Sequence, residues 1–127
     1  MSNMFQDVKE FQTAVGQNVG TEPKFPGGGE RVLRMKLLKE EFDEYNEGEY
    51  HNDLENIAKE LADIIYIVCG TAVSYGIPLD RVFDEVHRSN LSKLGDDGKP
   101  LRREDGKILK GPNYSPPNIK KILYGVE

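Results

Sequence analysis

The sequence predicts an all-α protein: a four-helix-bundle-like subunit followed by a tail rich in proline and glycine. Three observations carry that expectation. Apolar residues recur at three- and four-residue spacing over four successive segments, the period of a helix buried along one side. Glycine and proline clusters separate those segments rather than interrupt them. Two acidic pairs, Glu41-x-x-Glu44 and Glu60-x-x-Asp63, lie inside the two longest segments at a spacing that stacks each pair on one helix face.

The first helix is expected over about residues 3–18, where Phe5, Val8, Phe11 and Val15 repeat at helical spacing and Asn3 is a good N-cap. Pro23, Pro26 and Gly27 to Gly29 break it. A long second helix follows over about Glu30 to Glu47, with Gly48 as its C-cap. The third should start near Asn52 or Asp53, carry the stripe Leu54, Ile57, Leu61, Ile64 and Val68, and finish near Gly76. Pro78 opens the fourth, whose Val82, Phe83, Val86 and Leu91 mark a buried side down to about Leu94. Beyond it, the turn signals DDGK and EDGK flank a short extended stretch suited to a small hairpin. Pro112, Pro116 and Pro117 then exclude regular structure until a last turn or short helix near Asn118 to Leu123. The chain reads as a single domain, residues 1–127, with a helical core over about 3–94 and a tail over about 95–127.

Composition narrows the function. At 127 residues and 37% hydrophobic content the chain can bury only a modest core, so pairing with a second copy is expected, as a homodimer or homotetramer. A net charge of -5 disfavours a nucleic-acid surface, which needs a concentrated basic footprint. The charge is divided: residues 1–87 hold 8 basic and 17 acidic side chains, residues 88–127 hold 9 and 5. An acidic cluster that holds cations, with a basic segment beside it, suits a polyphosphate substrate; a basic tail that only docks on an acidic bundle is the plainer alternative. Cys69 falls in an apolar helix and reads as a small buried hydrophobe, pointing to a reducing compartment. With no signal-like start and no apolar run near the ~20 residues that span a bilayer, cytoplasmic and away from membranes is the expectation.

The chemistry rests on the acidic quartet. Four carboxylates from two neighbouring helices would repel one another in a low-dielectric cleft unless a divalent cation sat among them. Glu60 lies three residues after Ile57 and four before Ile64, beside the apolar stripe, where a carboxylate must be protonated, paired or metal-bound. Hard oxygen donors favour Mg2+, or Mn2+, over zinc or copper. A solvated face salt-bridged to Lys39, Lys59 or Arg34 is the competing reading.

In order and spacing these residues resemble the all-α nucleoside triphosphate pyrophosphohydrolases, the MazG-like group that includes phosphoribosyl-ATP pyrophosphohydrolase and dimeric dUTPases. The signature E-x-x-E, spacer, E-x-x-D occurs as Glu41 to Glu44, fifteen residues, then Glu60 to Asp63, and HRSNLSKL, DGKP and REDGKILKGPNY resemble the phosphate-binding end of one branch. The resemblance implies that Glu41, Glu44, Glu60 and Asp63 hold Mg2+ and that Glu40 orients or deprotonates the attacking water. It assigns the substrate phosphates to Asn90 and Lys93, at the end of the fourth helix, with Lys107, Lys110 and Tyr114 closing over them. Gln12 is expected exposed, with a base contact as the alternative, and Tyr66 is expected in the core.

The reaction implied is hydrolysis of a (deoxy)nucleoside triphosphate to the monophosphate and pyrophosphate, a nucleotide-pool housekeeping activity. Phosphoribosyl-ATP pyrophosphohydrolase of histidine synthesis and a non-catalytic helical binding or regulatory module are the alternatives. A carboxylate-bridged di-iron bundle needs Glu-x-x-His, which neither pair supplies. His51 and His87 read as structural or solvated, and base and sugar preference are not encoded in any recognisable residue.

Overall fold

The computed structural model describes residues 3–126. Five helices and one two-residue strand pair follow in order: α1 (Met4–Ala14), α2 (Gly28–Tyr50), α3 (Leu54–Tyr75), α4 (Leu79–Leu91), β1 (Leu101–Arg102), β2 (Ile108–Leu109) and α5 (Ile119–Tyr124). The fold is all-α, as the sequence predicts. It divides into two compact units, one running to Leu79 and the other starting at Asp80.

In the first unit α3 is the spine, packed against both α1 and α2. Asn3 caps α1 by accepting from the Gln6 amide, and Asp53 caps α3 by accepting from the Asn56 amide at 3.1 Å. The left-handed φ of 70° at Gly76 ends α3. The loop after α1 then supplies partners for carbonyls in the last turn of α3. The amides of Gly20 and Lys24 donate to Val73 O and Tyr75 O at 2.8 and 3.0 Å, and Asn18 Nδ2 donates to Ser74 O at 3.2 Å.

Two boundaries differ from the sequence expectation. Helix α1 stops at Ala14 rather than near residue 18 because the chain turns at Gly16, with φ of 75°. Helix α2 starts earlier and runs past Gly48, which is not a C-cap: it is buried inside the helix, and a Cβ there would lie 3.0 Å from Asn56 Nδ2 and Ile57 Cγ1 of α3. This glycine serves close helix approach instead. The turn between the helices is made by Asn52, with φ of 53°, a conformation asparagine tolerates.

The apolar core is small: Val8, Cys69, Ala72 and Val73 are the buried hydrophobic residues among those described. Burial on α3 is concentrated in its C-terminal half, so Leu61, Ile65 and Val68 stay exposed, and Tyr66 lies edge-on to Phe11 with its own surface open. A polar network shares the centre. Gln12, 2% exposed, donates to Asn18 O at 3.0 Å and Ser74 Oγ at 3.4 Å, while Arg34 donates from Nε to Thr71 Oγ1 and from Nη2 to Ile67 O. Gly70 makes room for both long side chains, since a Cβ there would collide with Arg34 Nη2 and Gln12 Oε1. Gln12 is therefore neither exposed nor turned outward. Burial lowers the Arg34 pKa, partly offset by Glu30.

In the second unit α4 begins just after Pro78 and ends three residues earlier than expected, because Ser92 Oγ takes the Ser89 carbonyl at 2.6 Å and the following amides bond three residues back. Its expected buried side is open, with Phe83, Val86 and Leu91 all exposed, and Ser89 is its buried residue. The hairpin pairs Leu101 with Leu109 and Arg102 with Ile108, so EDGK forms the turn rather than flanking the strands. Glu85 ties the tail to α4: it accepts from Arg88 Nε at 2.7 Å and from the Asn118 amide at 2.6 Å, which holds its carboxyl down at about 2. Asn118 in turn caps α5. No single helix among the described residues is long and apolar enough to cross a membrane.

Candidate metal centre

The facing turns of α2 and α3 bring three of the four expected ligands together. Oxygens of Glu41, Glu60 and Asp63 all lie within 4.8 Å of one another. The i,i+3 spacing puts Glu60 and Asp63 on one side of α3, and the helical turn of α2 presents Glu41 to them. Glu60 is 3% exposed, Glu41 and Asp63 are half-buried, and Glu44 is exposed. Glu44 stands outside the trio yet acts on it: its charge raises Glu41, and it helps to lower Glu60. Glu40, on the same turn of α2, is exposed.

The electrostatics are those of a site short of positive charge. A hydrogen bond to Glu60, then burial, then the charges of Glu44, Glu60 and Asp63, push Glu41 up to about 7. Glu60 moves the other way, lowered first by the bond from Glu41. Even so, Glu41 Oε2 and Glu60 Oε2 are both buried without a hydrogen-bond partner among the described residues. Orphaned buried carboxylate oxygens are costly, and a divalent cation with a preference for oxygen would satisfy both. The donor set is all carboxylate and fits Mg2+ or Mn2+.

Lys59 supplies the trio's local positive charge. Its Nζ bonds Asp63 Oδ2 at 2.7 Å and Glu60 Oε1 at 3.4 Å, and these contacts raise its pKa. Its i,i+4 spacing to Asp63 is the signal of this contact in the sequence. Asp43, inside the first motif, faces away and pairs with Lys39 at 2.7 Å. Next to the trio, Met35, Leu38, Lys39, Phe42 and Ile64 line an apolar groove of about 440 Å³.

The residues expected to hold phosphates all belong to the second unit. Asn90 is exposed on the last turn of α4, and Lys93 lies beyond the helix rather than on it, its carbonyl accepting from the Gly111 amide at 2.8 Å. Lys107 is exposed at the hairpin turn, its amide donating to Asp105 Oδ1 at 3.1 Å. Lys110 and Tyr114 come together, the ammonium 4.8 Å from the ring centroid.

Residues 8–90, which hold the whole acidic group, match the family model described as phosphoribosyl-ATP pyrophosphohydrolase. The chain belongs to that family. Family membership supports nucleotide pyrophosphohydrolase chemistry. The fold has independent support from a crystal structure of a protein from Exiguobacterium sp. 255-15, provisionally named an NTP pyrophosphohydrolase: it shares 21% identity, with 94% of this chain and 91% of that chain covered, at a TM-score of 0.52. No curated protein matches the chain significantly.

Proposed function

We propose that the protein is a magnesium-dependent hydrolase that cleaves a (deoxy)nucleoside triphosphate to the monophosphate and pyrophosphate. The observation that carries this reading is the convergence of Glu41, Glu60 and Asp63 with two buried oxygens left unsatisfied, in a chain of the phosphoribosyl-ATP pyrophosphohydrolase family. Glu41, Glu60 and Asp63, with Glu44 beside them, would hold the cation. When bound, that ion supplies charge neutralisation for the phosphoryl oxygens and lowers the pKa of a water molecule. Glu40, one residue from the ligands, takes the role of orienting or deprotonating the attacking water. By the resemblance of HRSNLSKL and REDGKILKGPNY, Asn90, Lys93, Lys107, Lys110 and Tyr114 would contribute to binding the phosphates, Asn90 as a hydrogen-bond donor and the lysines as counter-charge. A buried Cys69 and exposed His51 and His87 give no reason to invoke a covalent intermediate.

The family match favours a second reading, in which phosphoribosyl-ATP is the substrate. The chemistry is the same. A panel of dUTP, dCTP, dATP and phosphoribosyl-ATP with Mg2+, scored for pyrophosphate, separates the two. Glu60→Ala and Asp63→Ala should each abolish magnesium-dependent pyrophosphate release; unchanged turnover in both would refute the assignment.

A homodimer or homotetramer accompanies this reading. Four buried hydrophobic residues among those described are a thin core, whereas Met35, Leu38 and Phe42 on α2 and Leu61, Ile65 and Val68 on α3 are exposed. A second copy of the chain would cover them. A cytoplasmic setting fits the free buried thiol.

A further inference from the structure

We propose that Lys59 sets how tightly the acidic site takes up its cation, by holding two of the three carboxylates as an internal counter-ion that the metal must displace. This rests on reading Glu41, Glu60 and Asp63 as a cation site. The Lys59 ammonium is 2.7 Å from Asp63 Oδ2 and 3.4 Å from Glu60 Oε1, so it engages two of the three groups whose oxygens converge. Glu60 Oε2, buried and without a partner, marks a binding capacity that the lysine leaves unused.

An ammonium on Asp63 and a divalent ion on the same carboxylate would repel each other strongly at contact distance. The lysine is the partner that can leave. Its side chain is 69% exposed and reaches the site on a flexible four-carbon stem, whereas Glu60 is fixed inside the helix pair. Uptake of the ion therefore requires Lys59 to release Asp63 and turn to solvent. The other i,i+4 lysine pair of this unit, Lys39 with Asp43 at 2.7 Å, involves no carboxylate of the trio and provides an internal comparison of equal charge.

The test is a Mn2+ titration of the full chain, followed by the electron paramagnetic resonance signal of the free ion at physiological ionic strength. Lys59→Gln should bind Mn2+ about two- to five-fold more tightly, the size expected when an exposed i,i+4 ion pair is what the ion displaces. Lys59→Arg, which keeps the charge and grips a carboxylate through two donors, should bind no more tightly than the unmodified protein. Lys39→Gln should leave binding unchanged, because screening suppresses a charge that does not touch the site. Equal affinity for Lys59→Gln and the unmodified chain, weaker binding by Lys59→Gln, or equal tightening by Lys39→Gln would each overturn the role of Lys59 while leaving the cation site standing. Absence of Mn2+ binding in all of them would instead remove the cation site, and this inference with it.

Discussion

Glu41 of α2 and Glu60 of α3 bring carboxylate oxygens within 4.8 Å of each other, and each keeps one buried oxygen without a hydrogen-bond partner among the described residues. Two acids from different helices are thus pressed together at the point where α2 and α3 pack. In the absence of an ion, ionising both acids costs stability, and Glu41 therefore keeps its proton up to about 7. Clustered acids with unpartnered buried oxygens and a perturbed pKa mark a candidate functional site.

The first prediction concerns pH in metal-stripped protein. Glu41, held at about 7 against an ordinary 4.5, favours the fold in its protonated form. That contribution is complete below 4.5 and is lost as pH rises through 7. The opposite shift of Glu60 offsets part of it. Stability to urea in the presence of EDTA should therefore fall between pH 5 and pH 8, by at most about 3 kcal/mol. Glu41→Gln should flatten the profile. A stability that holds level or rises over that interval in the unmodified protein would contradict the assignment.

The second prediction concerns Gly70. Because a Cβ there would run into Arg34 Nη2 and Gln12 Oε1, Gly70→Ala must displace a buried guanidinium or a buried amide. Overpacking of this kind costs about 1–3 kcal/mol, more than alanine's advantage over glycine of about 1 kcal/mol in a helix. Urea denaturation should show net destabilisation. A more stable variant would mean that helix propensity governs the position.

The third concerns association. Light scattering should report a dimer or tetramer at micromolar concentration, and Phe42→Glu combined with Leu38→Glu should shift it toward the monomer, since both residues are exposed on one side of α2. A strict monomer for the unmodified chain would remove the oligomeric model.

Much of this was legible in the sequence, for identifiable reasons. The cap at Asn3 and the helix limits near Asp53, Gly76 and Asn118 depend on local chemistry, and they stand where the residue types predict. The two acidic pairs were legible because i,i+3 spacing fixes a face whatever the partner helix does. Gly48 and Gln12 were not, because their environments are set across the helix pair: Gly48 by Asn56 and Ile57, Gln12 by the gap above Gly70. The same holds for Lys59, whose contact with Asp63 is written in the spacing but whose reach to a buried Glu60 is not. The apolar stripes on α3 and α4 have the helical period, yet periodicity does not say which neighbour covers them, and Leu61 and Phe83 remain open.

The most direct measurement is anomalous diffraction from crystals soaked in Mn2+. A peak among the carboxylate oxygens of Glu41, Glu60 and Asp63, with Lys59 turned away from Asp63, is the predicted result. Those oxygens directed into solvent with no anomalous density between them would contradict the account.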